Sequence, residues 1–208
     1  MKKGLQNAKT VEMLEKLNSA IVKLQGFALS QEQATNIEII YNTCVELGIK
    51  RKRHIAYIFA TIFHEGARKE TINGKTIFRR VVSVEEIGKG KGKPYGGRIK
   101  YSRKYYTIPN KIYFGRGFVQ ITWYEVYEKF GKLLKIDLLN NPELALNANV
   151  GAKIAVLGMR DGLFTGVNLE RYFNDTRTDA INARKIINGT DKADLIASYY
   201  KVIFNQII

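Results

Sequence analysis

The stretch YFGRGFVQITW, residues 113–123, puts polar side chains where folding alone gives no reason for them. From Phe118 to Thr122 the pattern has a period of two. Val119 and Ile121 fall on one face of an extended segment, Gln120 and Thr122 on the other. Gly115 and Gly117 bracket Arg116, so the backbone there can take dihedrals closed to other residues or let another group approach closely. The spacing predicts a short strand with an apolar back and an uncharged, hydrogen-bonding front, a surface suited to a sugar or a positioned water. An ordinary half-buried strand following a glycine turn would show the same pattern.

Outward from that stretch the chain is mostly helical in pattern. Val11, Leu14, Leu17, Ile21 and Leu24 share one helical face, predicting a helix over about 10–24. Ser30 with Gln33 three residues on reads as a capping box opening a helix over 31–47, closed by Gly48. A third helix is expected over 52–65, with Ile55, Ile58, Phe59 and Ile62 on its buried side and Gly66 ending it. Residues 69–110, rich in Gly, Lys and Tyr, read as loops with short strands. Helical periodicity returns over 124–134. Asn141-Pro142 is expected to open a further helix running through Ala152, Ala155 and Leu157. A turn near 162–166 precedes Leu169–Phe173, and a last helix spans about 193–204. The fold class is therefore α+β, mostly α. No internal repeat and no interdomain linker is visible, so residues 1–50 are expected as helices packed on the unit formed by 51–208.

Composition narrows the classes. Of the 208 residues 45% are hydrophobic, enough to bury a proper core and to argue against wholesale disorder. No apolar run reaches the roughly 18 residues that span a bilayer. The two leading lysines are followed by polar residues rather than an apolar region and a cleavage site, so no secretory signal is expected. Cys44, set among Ile39, Ile40 and Val45, reads as a core thiol in a reducing compartment. With 34 Lys and Arg against 19 Asp and Glu the net charge is +15, which draws the chain toward polyanions: nucleic acid, anionic lipid or an acidic cell wall. A lysine-rich solvated surface would give the same number.

Two sets of carboxylates are candidates for chemistry. Glu65 projects from the end of the mostly apolar helix IAYIFATIFH, the setting a general acid requires, although a solvated helix-terminal glutamate would look the same. Glu85 and Glu86 stand at the mouth of the loop GKGKGKPYGGR, which also carries Tyr95. Two carboxylates across a cleft are the minimum equipment for glycoside hydrolysis. Other chemistries fit less well. His64-Glu65 begins like a zinc-protease motif, but its fifth position is Arg68 and His54 is the only other histidine, so no metal site is expected. There is no serine elbow and no thiol triad. Gly88, Gly90 and Gly92 match neither phosphate-loop spacing. Tyr101, Tyr105, Tyr106 and Tyr113 could stack on sugars or bases, or sit in the core.

Together these pieces resemble the family 19 glycoside hydrolases, the class I chitinase-like enzymes, in their bacterial and phage endolysin-type branch. IAYIFATIFHEGAR resembles the helix ending in the family's His-Glu pair, and VEEIGKGKGKPYGGR the loop with its second carboxylate. YFGRGFVQITWYEVYEKFG resembles the family's most recognisable block, and ARKIINGTDKADLIASYYKVIF its C-terminal Arg and Ile-Asn-Gly segment. The resemblance implies a two-lobed, lysozyme-like fold with a central substrate cleft and an inverting mechanism without cofactor or metal. Glu65 would be the acid, Glu86 (or Glu85) the base, and Thr122 the hydroxyl holding the attacking water. Gln120, Tyr127, Arg184, Asn188, Tyr95 and Arg116 would line or bind substrate.

The departures are Phe114, where the family has tyrosine before Gly-Arg-Gly, and Val126, where a sugar-binding asparagine is common. Losing that amide weakens the case for chitin more than for hydrolysis. The expected partners are peptidoglycan glycan strands, with chitin oligosaccharides as the alternative, and an anionic wall or membrane surface. No specific nucleic acid is expected, and the chain is expected to act as a monomer. The branch implies synthesis in a host cytoplasm before release to the wall, or carriage in a virion. A non-enzymatic basic protein binding wall or nucleic acid through the Lys/Gly/Tyr loop is the reading from a different class.

Overall fold

The computed structural model describes residues 2–93, 95 and 111–208, with residues 2–7 described in backbone only. Its axis is α3 (Lys52–Glu65), in which every residue from His54 to Phe63 is buried. A helix apolar on all sides is stable only when surrounded. α6 (Ala193–Ile207) and α5 (Ala148–Arg160) pack on α3, α1 (Lys2–Gln25) lies along α6, and α2 (Gln31–Glu46) lies along α5. One apolar cluster runs through all of them and α4 (Tyr124–Leu134), joining Leu17, Ile37, Phe59, Phe130, Ile154 and Ile203. The first two helices thus share the core of the rest. Among the described residues no helix is long and apolar enough to cross a membrane. Cys44 is fully buried, and that burial pushes its thiol up to about 12.

The helix ends follow local chemistry. Ser30 and Gln33 form the expected reciprocal cap of α2, and α3 and α4 have the expected bounds. α1 begins at Lys2, well before Thr10, and Val11 is exposed rather than on the buried face. The helix expected to run unbroken from Pro142 is split in two. A 3-10 turn, Pro142–Leu146, ends at Asn147, whose extended backbone and side chain open α5 by accepting from the Asn149 and Val150 amides at 3.0 and 3.3 Å. An asparagine cap competes well with continuing helix, and here it wins. The last helix continues to Ile207.

The irregular region is a hairpin and a short second sheet. β1 (Ala67–Ile72) and β2 (Lys75–Arg80) pair antiparallel around Asn73-Gly74, both with positive φ, the dipeptide that suits a two-residue hairpin turn. β3 (Val84–Glu85) pairs antiparallel with β4 (Arg116–Gly117). The hairpin leaves α3 at Gly66 and returns beside it. The Val82 amide donates to the Gly66 carbonyl at 3.2 Å, and a Cβ on Gly66 would lie 2.6 Å from the Val82 carbonyl oxygen. Only glycine permits that approach, which brings the chain back to the end of α3 at Val82, three residues before Glu85.

The strand expected over Phe118–Thr122 is not formed, and this corrects the period-two reading. Gly117 (φ +92°) and Gln120 (φ +50°) turn the chain back so that Arg116 pairs with Ile121 across a tight turn. Phe118, Val119 and Ile121 are all buried beneath it. The Gln120 amide fastens the turn by donating to the carbonyls of Val84 (2.7 Å) and Gly117 (2.9 Å). Alternating apolar residues can therefore pack inward from a turn as well as from a strand. The tyrosines at 101, 105 and 106, and the loop beyond Tyr95, lie outside the described residues.

Candidate active site

A cavity of about 420 Å³ lies at the C-terminal end of α3. Glu65, Gln120, Thr122, Arg184 and Asn188 line its polar side, and Trp123, Val126, Phe164 and Ile187 much of its apolar wall. Glu65 is held there by Arg184, whose Nη1 donates to its Oε1 at 2.6 Å. Arg184 is buried, and its Nε donates to the Asp191 carbonyl at 3.0 Å, so the guanidinium is fixed from two sides. Glu65 Oε2 and the Thr122 hydroxyl are engaged by no described residue, which leaves both available to a ligand. Asn188 turns its amide oxygen to the Gly189 N–H at 2.9 Å.

The second carboxylate sits one layer away, not in the cavity wall. The Glu86 amide donates to the Gly115 carbonyl (2.8 Å), and Gly115 N–H donates back to Glu86 Oε2 (3.1 Å). Its other oxygen accepts from the Tyr95 hydroxyl at 2.8 Å. Tyr95 packs edge-on against Trp123, with ring centroids 5.3 Å apart, and Trp123 lines the cavity, so Tyr95 lies between Glu86 and that wall residue. Burial, and then the hydrogen bond to Glu86, push the Tyr95 hydroxyl up to about 12, so it remains a donor at neutral pH. A Cβ at Gly115 would come 2.7 Å from Gln120 Oε1 and 3.3 Å from Glu86 Cβ, so this glycine lets the base-bearing segment and the turn meet. Glu85 points into a different environment, pairing with Lys89 (3.2 Å) and Arg116 (3.7 Å).

Two residues expected to bind substrate do something else. Tyr127 is fully buried; its hydroxyl donates to the Phe114 carbonyl (2.8 Å) and accepts from Arg116 Nη1 (3.1 Å). Arg116 is buried too, stacked 3.5 Å over the Phe114 ring and donating to the Ile112 carbonyl at 3.0 Å. They brace the turn from behind, because the chain reversal at 117–120 sends Arg116 inward. Tyr127→Phe should therefore destabilise the fold by about 1–3 kcal/mol, the cost of orphaning buried partners, while leaving KM for an oligosaccharide unchanged. Thermal melts beside steady-state kinetics check both halves.

Trp123, Phe164 and Ile187 were absent from the expected site. Trp123 had a signal, being the chain's single tryptophan inside the recognised block. Its backbone is held at φ +74°, ψ 144°, a conformation that costs a non-glycine residue on the order of 1–3 kcal/mol and collects at functional sites. Ile187 also had one, as the isoleucine of the Ile-Asn-Gly segment, whereas Phe164 comes from a distant turn and had none. Among the described residues no group of three or more His, Cys, Asp or Glu could hold a metal ion. His64, beside Glu65, is held below the usual histidine range chiefly by burial and tilts against Tyr199.

The family profile of class I chitinases, glycoside hydrolase family 19, matches residues 11–159. The chain belongs to the class I chitinase family. Within it, the chain is 32% identical over 159 residues to endochitinase 2 of Solanum tuberosum, covering 76% of this chain and 46% of that protein. It is 31% identical over 153 residues to acidic endochitinase SP2 of Beta vulgaris, covering 72% and 48%. The match thus spans about half the length of these plant relatives. A bacterial family 19 chitinase of known structure superposes with a TM-score of 0.53 at 17% identity, over 91% of this chain and 93% of that one. That likeness is one of fold, and it accords with the mostly helical α+β architecture of a family 19 domain. Glu65, Glu86, Thr122 and Val126 lie inside the span matched by the class I chitinase profile, and Arg184 and Asn188 beyond it.

Proposed function

We propose that this protein is an inverting glycoside hydrolase that cleaves β-1,4 bonds between amino sugars of bacterial peptidoglycan. The carrying observation is the pairing of Glu65 with Arg184 in a cavity that also presents the Thr122 hydroxyl, with Glu86 tied to the same turn. Glu65 protonates the glycosidic oxygen as the bond to the anomeric carbon breaks. Glu86 takes a proton from the water that attacks the opposite face of the sugar, and Thr122 holds that water. In this reading the Tyr95 hydroxyl orients Glu86 before the water arrives. Glu85, engaged by Lys89 and Arg116, is the poorer base.

Two features support peptidoglycan as the polymer. Val126 offers an apolar contact where the family's common asparagine would offer an amide, and the +15 charge favours an acidic wall. The proposal includes action on the wall after release from a host cytoplasm or from a virion. Chitin oligosaccharides are the second reading, favoured by the endochitinase relatives. Mass and anomer analysis of fresh products from peptidoglycan and from chitin oligosaccharides separates them. The expected result is cleavage of peptidoglycan glycan strands with the α-anomer formed first. A β-anomer would rule out inversion, and products from chitin alone would replace the substrate.

A further inference from the structure

A second concavity, of about 350 Å³, shares no lining residue with the Glu65 cavity and lies between the end of α1, strand β2 and α6. Its walls are aromatic: Phe27, Phe63, Phe78 and Tyr199. Phe78 keeps 51% of its surface exposed. Phe63 and Tyr199 meet edge-on with centroids 4.8 Å apart, giving the floor a fixed shape. Arg80 shares a strand face with Phe78, and its guanidinium lies 5.4 Å over the Phe63 ring and 5.7 Å over the Phe78 ring.

The charge state of Arg80 is what distinguishes this groove. Its neighbours on the hairpin are neutralised: Arg68 pairs with Glu32 and Glu70, and Arg79 with Glu70. Arg80 has no carboxylate partner among the described residues. One Nη1 bond, 3.4 Å to the His64 carbonyl, leaves most of its five donors unused. A guanidinium spread over aromatic rings, with open donors, fits a carboxylate attached to an apolar body. We propose that this groove binds a carboxylate-bearing stretch of wall glycan outside the catalytic cavity. Sugar faces would lie on Phe78 and Tyr199, and a lactyl or stem-peptide carboxylate on Arg80. This rests on the peptidoglycan reading above for its ligand, and it would keep the protein on an insoluble polymer between cuts.

The test is sedimentation with insoluble peptidoglycan, using Glu65→Gln protein so that the polymer is not consumed. Phe78→Ala and Arg80→Gln, each added to that protein, should weaken adsorption about tenfold, the loss expected for one charge-assisted or stacking contact. Phe78 is half exposed, so its removal leaves the core intact, and melting curves verify this. On peptidoglycan whose carboxyls have been amidated, the parent should bind as weakly as the variants. With Glu65 restored, both variants should cut soluble glycan fragments at the parental rate. The proposal is overturned if the variants adsorb like the parent, or if they lose amidated peptidoglycan and neutral chitin equally, which would mark a neutral-sugar site. A protein that cuts no peptidoglycan yet adsorbs in this Arg80-dependent way would sink the hydrolase reading and leave the groove standing.

Discussion

Glu65→Gln should lower hydrolysis by about 10²–10⁴-fold, the usual worth of a positioned proton donor. The amide is isosteric with the carboxyl and still offers Arg184 Nη1 an acceptor at the position now 2.6 Å away, so the side chain keeps its place. What it loses is the proton for the departing sugar oxygen. The measurement is reducing-end release from peptidoglycan and from chitin oligosaccharides, with near-wild-type melting as the control for folding. Wild-type turnover by Glu65→Gln would remove this residue from the mechanism and with it the hydrolase proposal.

Arg184→Ala should act on both stability and rate. The guanidinium is buried, and its removal leaves a mostly covered carboxylate without its cation and the Asp191 carbonyl without its donor. Breaking such a pair costs roughly 3–5 kcal/mol when the remaining charge is wholly buried. Glu65 keeps 19% of its side chain exposed, so a loss of about 3 kcal/mol is expected here. Turnover should fall about 100-fold, because the acid is no longer held in register with the sugar. Arg184→Lys should restore part of the stability but less of the rate, since one ammonium cannot span both Glu65 and the Asp191 carbonyl as the planar fork does. An Arg184→Ala protein as active as wild type would show that Glu65 finds its position without help.

What could be read from the sequence is what local physics decides. α3 declared itself by its unbroken apolar run, α2 by the Ser30–Gln33 cap and α4 by its periodicity, because each signal lies within one or two helical turns. The turn at 117–120 did not, since buried Val119 and Ile121 alternate in the same way on a strand. Its deciding feature is positive φ at Gln120, a residue that gives no warning of it. The hairpin has a local signal in Asn73-Gly74, but it lies in a region whose Gly, Lys and Tyr content otherwise suits loops. At the site the carboxylates could be found because Glu65 ends an apolar helix and Glu86 opens a recognisable loop. Tyr127 and Arg116 were misplaced because sequence spacing does not say which side of a reversed chain faces solvent. The bond between Arg184 and Glu65 spans 119 positions, and no local pattern encodes it.

That long bond also sets where the working unit ends. The matched family span stops at residue 159, with both candidate carboxylates and Thr122 inside it. A polypeptide trimmed there would keep every residue proposed to touch the reacting bond. It would nevertheless lose Arg184, and with it α6, the helix that covers one side of α3 and of α1. On the proposed mechanism the smallest active fragment would run through α6, beyond the end of the matched span.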